Sequence, residues 1–180
     1  MKMLRPHEAN RYIKDRGVML PNKQVLVTEP LNVFKKVRTR TNFGYGFVES
    51  IAHLVIPIGA IVNLGQDGDS KMRANQAYCH RICSLDENEE YDNAYSTYSR
   101  DFKYKSGKKL GLDAKILKKL SLNHEKYIKL NSYVATYAKN KKLHTALIGC
   151  KAVPDNFSIT TNTCSSGIHF FVDRKRAVNY

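Results

Sequence analysis

Long apolar runs are missing from this chain. Nothing in its 180 residues approaches the roughly 18 consecutive apolar residues that a membrane-spanning helix needs. The opening Met1-Lys2-Met3-Leu4-Arg5-Pro6 has no apolar segment of the secretory kind. A soluble, cytoplasmic protein with no membrane partner is therefore expected. Cysteine is sparse as well: Cys79, Cys83, Cys150 and Cys164 are too few for a disulfide scaffold, so free and mostly buried thiols are expected. No internal repeat period is visible. Acidic residues are few, 16 against 30 Lys+Arg, which gives a net charge of +14 and a pI near 9.7. Such a balance favours nucleic acid, an anionic nucleotide or an acidic protein surface as partner. A lysine-rich surface that serves only solubility accounts for the same excess without any ligand.

What is present suffices for one core. An apolar fraction of 42% is that of a globular chain, and one domain over residues 1–180 is expected. A short helix is predicted over 6–13 and a brief strand at Val25-Leu26-Val27. The stretch Val33-Phe34-Lys35-Lys36-Val37-Arg38-Thr39-Arg40 reads as an extended segment with Lys36, Arg38 and Arg40 on one face, because side chains alternate with a period of two. A glycine-rich turn, Asn42-Phe43-Gly44-Tyr45-Gly46-Phe47, leads to a buried strand over 51–58. A further apolar run, 60–64, closes at the loop 65–69. Residues 71–85 fit a helix or a strand equally well.

The acidic run Asp86, Glu87, Glu89, Glu90 and Asp92 reads as a solvated loop, after which the charge reverses. Residues 100–142 carry 13 basic and three acidic side chains, a local balance of +10, which leaves +4 for the rest of the chain. Within this segment Asp113 can cap a helix with Ile116, Leu117 and Leu120 on one face and Lys115, Lys118 and Lys119 on the other. A second helix from Asn123 would complete a pair. Residues 86–142 are thus expected to form a charged helical insertion between strand-rich parts. Beyond it, 145–148 is strand-like, Pro154-Asp155-Asn156 is a turn, 168–172 is a strand, and Asp173 caps a last short helix. The expected class is α+β, a small mixed or antiparallel sheet with a Lys-rich helical insertion.

The end of the chain carries a resemblance. Cys164-Ser165-Ser166-Gly167-Ile168-His169-Phe170-Phe171, followed by a short helix ending in Tyr180, resembles the C-x-x-G-I-H-F-F signature of an uncharacterised family from phages and large DNA viruses. Leu54-Val55-Ile56-Pro57-Ile58-Gly59-Ala60 is similar to that family's L-x-I-P-x-x-A element, Lys71-Met72-Arg73-Ala74 with Ala77 to its K-C-R-A-x-x-A element, and Val153-Pro154-Asp155-Asn156-Phe157 to its P-D-x-F turn. Met72 stands where the family has Cys, which argues against a shared metal site there. The pentapeptide repeats sometimes found in such proteins are absent. The resemblance implies a viral accessory protein, with phage as the favoured source and the host cytoplasm as its place, and it brings no established reaction.

Gly167 suits a close backbone approach. His169 and Phe171 share one face of their strand, so His169 is either a satisfied buried histidine or a ligand contact at the strand's rim. Cys79-His80-x-x-Cys83 with Cys150, Cys164 and His169 supplies zinc-type ligands without paired C-x-x-C knuckles, so no metal and no cofactor are expected. A thiol nucleophile would need a base in reach, yet Cys164 and His169 lie roughly 16 Å apart on an extended strand, and Cys79 with His144 is untestable from sequence. Asn42-Phe43-Gly44-Tyr45-Gly46 and Ser106-Gly107-Lys108-Lys109 lack the Walker spacing and read as turns or as anion-binding nests.

The basic-aromatic interleaving is the strongest binding signal. Candidate anion-binding residues are Lys36, Arg38, Arg40, Arg73, Lys103, Lys105, Lys108, Lys109, Lys115, Lys118 and Lys119. Tyr98 and Tyr104, with Tyr95 beside them, are candidate stacking residues. Three functions follow. The first is a non-enzymatic accessory protein binding nucleic acid or an anionic nucleotide, in host takeover or anti-defence. The second is an inhibitor covering an acidic host protein. The third is an enzyme acting on nucleotides or nucleic acid through His169, Arg73 or Glu49.

Overall fold

The computed structural model describes residues 3–41, 44–66, 70–97, 103–112, 147, 149–154, 156–158 and 166–180. They run α1 (Pro6–Lys14), β1 (Gly17–Leu20), β2 (Gln24–Val27), β3 (Leu31–Arg40), β4 (Phe47–Ile56), β5 (Ile61–Asn63), β6 (Met72–Ala74), β7 (Ala77–Ser84), β8 (Asn93–Ser96), β9 (Lys103–Lys105), β10 (Lys151–Ala152), β11 (Ile168–Phe170) and α2 (Arg174–Asn179). A five-stranded sheet takes the order β1-β2-β5-β6-β11 and a six-stranded sheet the order β10-β7-β4-β3-β8-β9. The pairings within both are antiparallel.

This overturns the α+β expectation. The protein is mostly antiparallel β in two sheets, and its described helices are two short ones near the ends of the chain. The described part of the expected helical insertion is turn and strand, with β8 and β9 hydrogen-bonded onto the six-stranded sheet. Lys103-Tyr104-Lys105 alternates with a period of two, a strand signal that the surrounding lysines hide. Residues 113–142 lie outside the described residues. The undecided stretch 71–85 resolves into β6 and β7, and the expected strand at 145–148 is not supported at Leu147, which lies in a helical turn.

Period-two alternation explains β3. Leu31, Val33, Lys35, Val37 and Thr39 face the interior, whereas Asn32, Phe34, Lys36, Arg38 and Arg40 face out. One buried cluster gathers Val25, Val62, Ala74 and Ile168 from the first sheet with Val33, Val37, Leu54 and Ile82 from the second. Each such aliphatic side chain contributes about 1.5–3 kcal/mol when fully buried.

Among the described residues the sheets are tied by backbone hydrogen bonds at one place. Phe170 pairs with Met72 in the five-stranded sheet, and the next residue, Phe171, exchanges two backbone hydrogen bonds with Phe34 of β3, at 2.8 and 2.7 Å. Phe171 then packs with Ile51, Phe34, Ala177 and Val178, so α2 covers part of the second sheet's outer face.

Polar side chains close the rest. Arg73 is 2% exposed, and its Nη1 donates to the carbonyls of Ser158 (3.2 Å) and Ser166 (2.7 Å). A Cβ at Gly167 would lie 3.1 Å from the Phe157 ring and 3.3 Å from Arg73 Cβ, and Gly167 has φ +140°, so this close approach needs glycine. The family-like pieces around 72–74, 157 and 166–170 therefore meet at Arg73. Asp173 caps α2 through the Lys175 amide (2.8 Å) and also accepts from the Leu4 amide (2.6 Å). The Leu4 carbonyl in turn accepts from Arg176 Nε at 2.9 Å.

Candidate functional site

Among the described residues no element lies over the far end of the same outer face. Residues directly opposed in antiparallel strands share a face, and the register sets Arg40 against Phe47, Arg38 against both Glu49 and Tyr95, and Tyr95 against Lys103. Lys105 follows two residues later on β9. Two basic stretches more than 60 residues apart in sequence thus become neighbours through β8, whose Tyr95 lies between them.

The Tyr95 ring is flanked by two cations, Arg40 and Lys103, each 5.6 Å from its centroid. Phe47 meets its edge at 5.7 Å. Arg38, Arg40, Lys103 and Lys105 are exposed, while Lys36 is half-buried and paired with Glu49 at 2.9 Å. Beside them the β3–β4 hairpin projects Tyr45, 93% exposed, and Phe47, 50% exposed. Gly44 and Gly46 have φ +76° and +102°, and Thr41 bonds across to Gly46, so the glycine-rich segment is the hairpin turn.

The other sequence-predicted residues divide. Lys108 bonds Glu90 at 2.6 Å, holding that carboxyl below its ordinary range, and Arg81 reaches the same oxygen at 2.7 Å. Lys109 lies 3.7 Å from Asp92. The amides of Gly107 and Lys108 donate to the carbonyls of Cys79 and His80, which occupies the backbone donors that a nest there would offer. Arg73 is spent on backbone carbonyls inside the fold. Tyr104 is 1% exposed and points into the core, where burial drives its hydroxyl pKa well up, so it cannot stack on a ligand. His169 is half-buried and lines a cleft at the junction of the two sheets. Tyr98, Lys115, Lys118, Lys119, Cys164 and His144 lie outside the described residues.

A thiol–imidazole contact does occur, between Cys83 Sγ and His53 Nε2 at 3.5 Å across β4 and β7. Burial, then the nearby Arg81 charge, lowers His53 to about 4, and burial raises the Cys83 thiol. Both groups are neutral near pH 7, the opposite of an activated thiolate–imidazolium pair. Burial likewise takes Cys79 well up and Cys150 to about 12. Among the described residues no cluster of His, Cys, Asp or Glu could hold a metal ion.

Fold and site together define a two-sheet antiparallel β protein with a cationic, aromatic-bearing sheet face. The chain belongs to a family of unknown function, DUF5758, whose match spans residues 18–126 and so includes β3, β4, β8 and β9, which carry these side chains. It is 31% identical over 139 residues to the uncharacterized protein L223 of Acanthamoeba polyphaga mimivirus, a match covering 73% of this chain and 62% of that relative. The chain therefore spans less than two thirds of the relative's length. The C-terminal signature at 164–171 lies outside the family match. No solved structure matches.

Proposed function

We propose that this is a viral accessory protein that binds single-stranded nucleic acid on the open end of the six-stranded sheet. The arrangement that supports this reading is Tyr95 between Arg40 and Lys103 on an uncovered face. Cations neutralise phosphates without reading sequence, and an aromatic ring on a sheet offers a platform for a base of any kind. Tyr45 and Phe47 extend the apolar surface at the hairpin tip, and the giant-virus relative supports the viral setting. Phage origin and action in the host cytoplasm follow from the resemblance at 164–171 as parts of the same proposal.

Fluorescence polarisation with labelled single-stranded oligonucleotides tests it. Four phosphate contacts would give a plot of log K against log salt with a slope of about −3. Arg38→Ser, Arg40→Ser and Lys103→Ser combined should weaken binding by at least about tenfold and flatten that slope. Lys108→Ser with Lys109→Ser should leave binding near the parent value, because those lysines already face Glu90 and Asp92. Absence of binding at low salt, or equal binding by the triple variant, would overturn the reading.

A further inference from the structure

The aromatic residues at the far end of the six-stranded sheet differ in how much ring they leave free. Tyr95 is half-buried, with Arg40 and Lys103 each 5.6 Å from its ring centroid and the Phe47 ring edge-on at 5.7 Å. Its ring is engaged by these neighbours, and its place on β8 fixes where two cations stand. Tyr45 is the opposite case. It lies at the tip of the β3–β4 hairpin and is 93% exposed, and Phe47, the first residue of β4, is 50% exposed.

The backbone that carries Tyr45 is nonetheless held. The Gly44 amide donates to the Thr41 carbonyl at 3.0 Å, the Thr41 amide donates to the Gly46 carbonyl at 3.3 Å, and Thr41 Oγ1 donates to the Tyr45 carbonyl at 2.9 Å. Gly44 and Gly46, on either side, have positive φ, and a Cβ at either would meet nothing within 4 Å. Glycine there serves the dihedral angles of the turn rather than packing. An aromatic side chain is thus presented to solvent on a turn whose conformation is set in advance, which lowers the ordering cost of binding. The register places Phe47 directly opposite Arg40, so the exposed ring adjoins the cations.

We infer that the hairpin tip is the base-binding element of this face: Tyr45 and Phe47 stack on unpaired bases, while Tyr95 is a positioning residue that sets Arg40 and Lys103 against phosphates. The inference rests on the nucleic-acid reading of the sheet face and divides the work between two sets of residues. Charge complementarity brings the strand to Arg38, Arg40, Lys103 and Lys105, and the neighbouring rings then meet its bases without regard to their identity.

Fluorescence polarisation of the full chain with two probes tests the inference, a thymine oligonucleotide and an abasic strand of the same length. The parent should bind the strand with bases about tenfold more tightly, since stacking on an aromatic side chain strengthens binding by roughly that factor per base. Tyr45→Leu with Phe47→Leu should bring that strand down to the affinity of the abasic one at the parent's salt slope, because the lost rings carry no charge. Tyr95→Leu should weaken both strands by the same factor and keep their ratio. The inference is overturned if the parent does not distinguish the two strands or if the double Leu variant still does. It is equally overturned if Tyr95→Leu alone abolishes the distinction, which would make Tyr95 the seat of the base. In each of these cases the phosphate-binding reading of the face stands on its salt slope. If neither strand binds at low salt, that reading falls and this inference falls with it.

Discussion

Phe34 and Arg38 lie four residues apart on the same outward face of β3 and meet opposite surroundings. Around Phe34 the sheet is roofed by Phe171, Ala177 and Val178, and Ile51 beneath them is fully buried. Around Arg38 the roof ends, and the face carries cations and aromatic rings. Strand geometry is the same at both ends, so what differs is the covering element. The helix after Asp173 turns one half of a sheet face into core and leaves the other half to solvent and partners.

The sharpest way to break that comparison is to mutate each half. Ile51→Ala should cost about 2–5 kcal/mol in urea unfolding, while Arg38→Ser should change stability by no more than about 0.5 kcal/mol. Similar losses at both sites would mean that the open half is also core. A smaller effect comes from His53, whose ring meets Phe34 edge-on at 5.1 Å under the covered half. Its pKa is about 4 when folded and 6.5 when free. The unfolded chain therefore takes up a proton in that interval before the folded one does, so stability is full above pH 6.5 and declines as pH falls towards 4. Urea midpoints across the interval should show the decline, and His53→Leu should flatten it. The smallest effect is expected at Glu49, the acid beside the open half. Glu49→Gln should free Lys36 and tighten oligonucleotide binding by about threefold, since an exposed ion pair is weak. Weaker binding instead would make Glu49 a ligand contact rather than a local counter-charge.

Single strands and caps were legible in the sequence, while the two-sheet antiparallel β architecture was not, and the reasons are physical. The alternation in 33–40 placed Lys36, Arg38 and Arg40 together correctly, and Asp173 does cap α2. The same alternation puts Lys35 in line with Val33 and Val37, which is the sequence signal for a buried lysine. The junction of β3 with β9 had no such signal. It arises from the β3–β8 pairing across more than 50 residues, to which β9 is added locally, and no local period reveals that β3 and β8 will be neighbours. Residues 71–85 were ambiguous because Ala74, Ala77, Tyr78 and Arg81 suit either period, and long-range pairing with β4, β5 and β11 decided the matter. The inward position of Tyr104 is hidden by its lysine neighbours, although the residue between two outward side chains of a strand must face inward.

Leu4 bears on how the chain is closed. Its amide and carbonyl are both taken by residues around α2, Asp173 and Arg176, so the start and the finish of the described chain are stitched side by side. Asp173 holds both the first turn of α2 and the Leu4 amide, so one carboxylate serves as latch for two segments, and Asp173→Ala would release the helix and the N-terminal strap together.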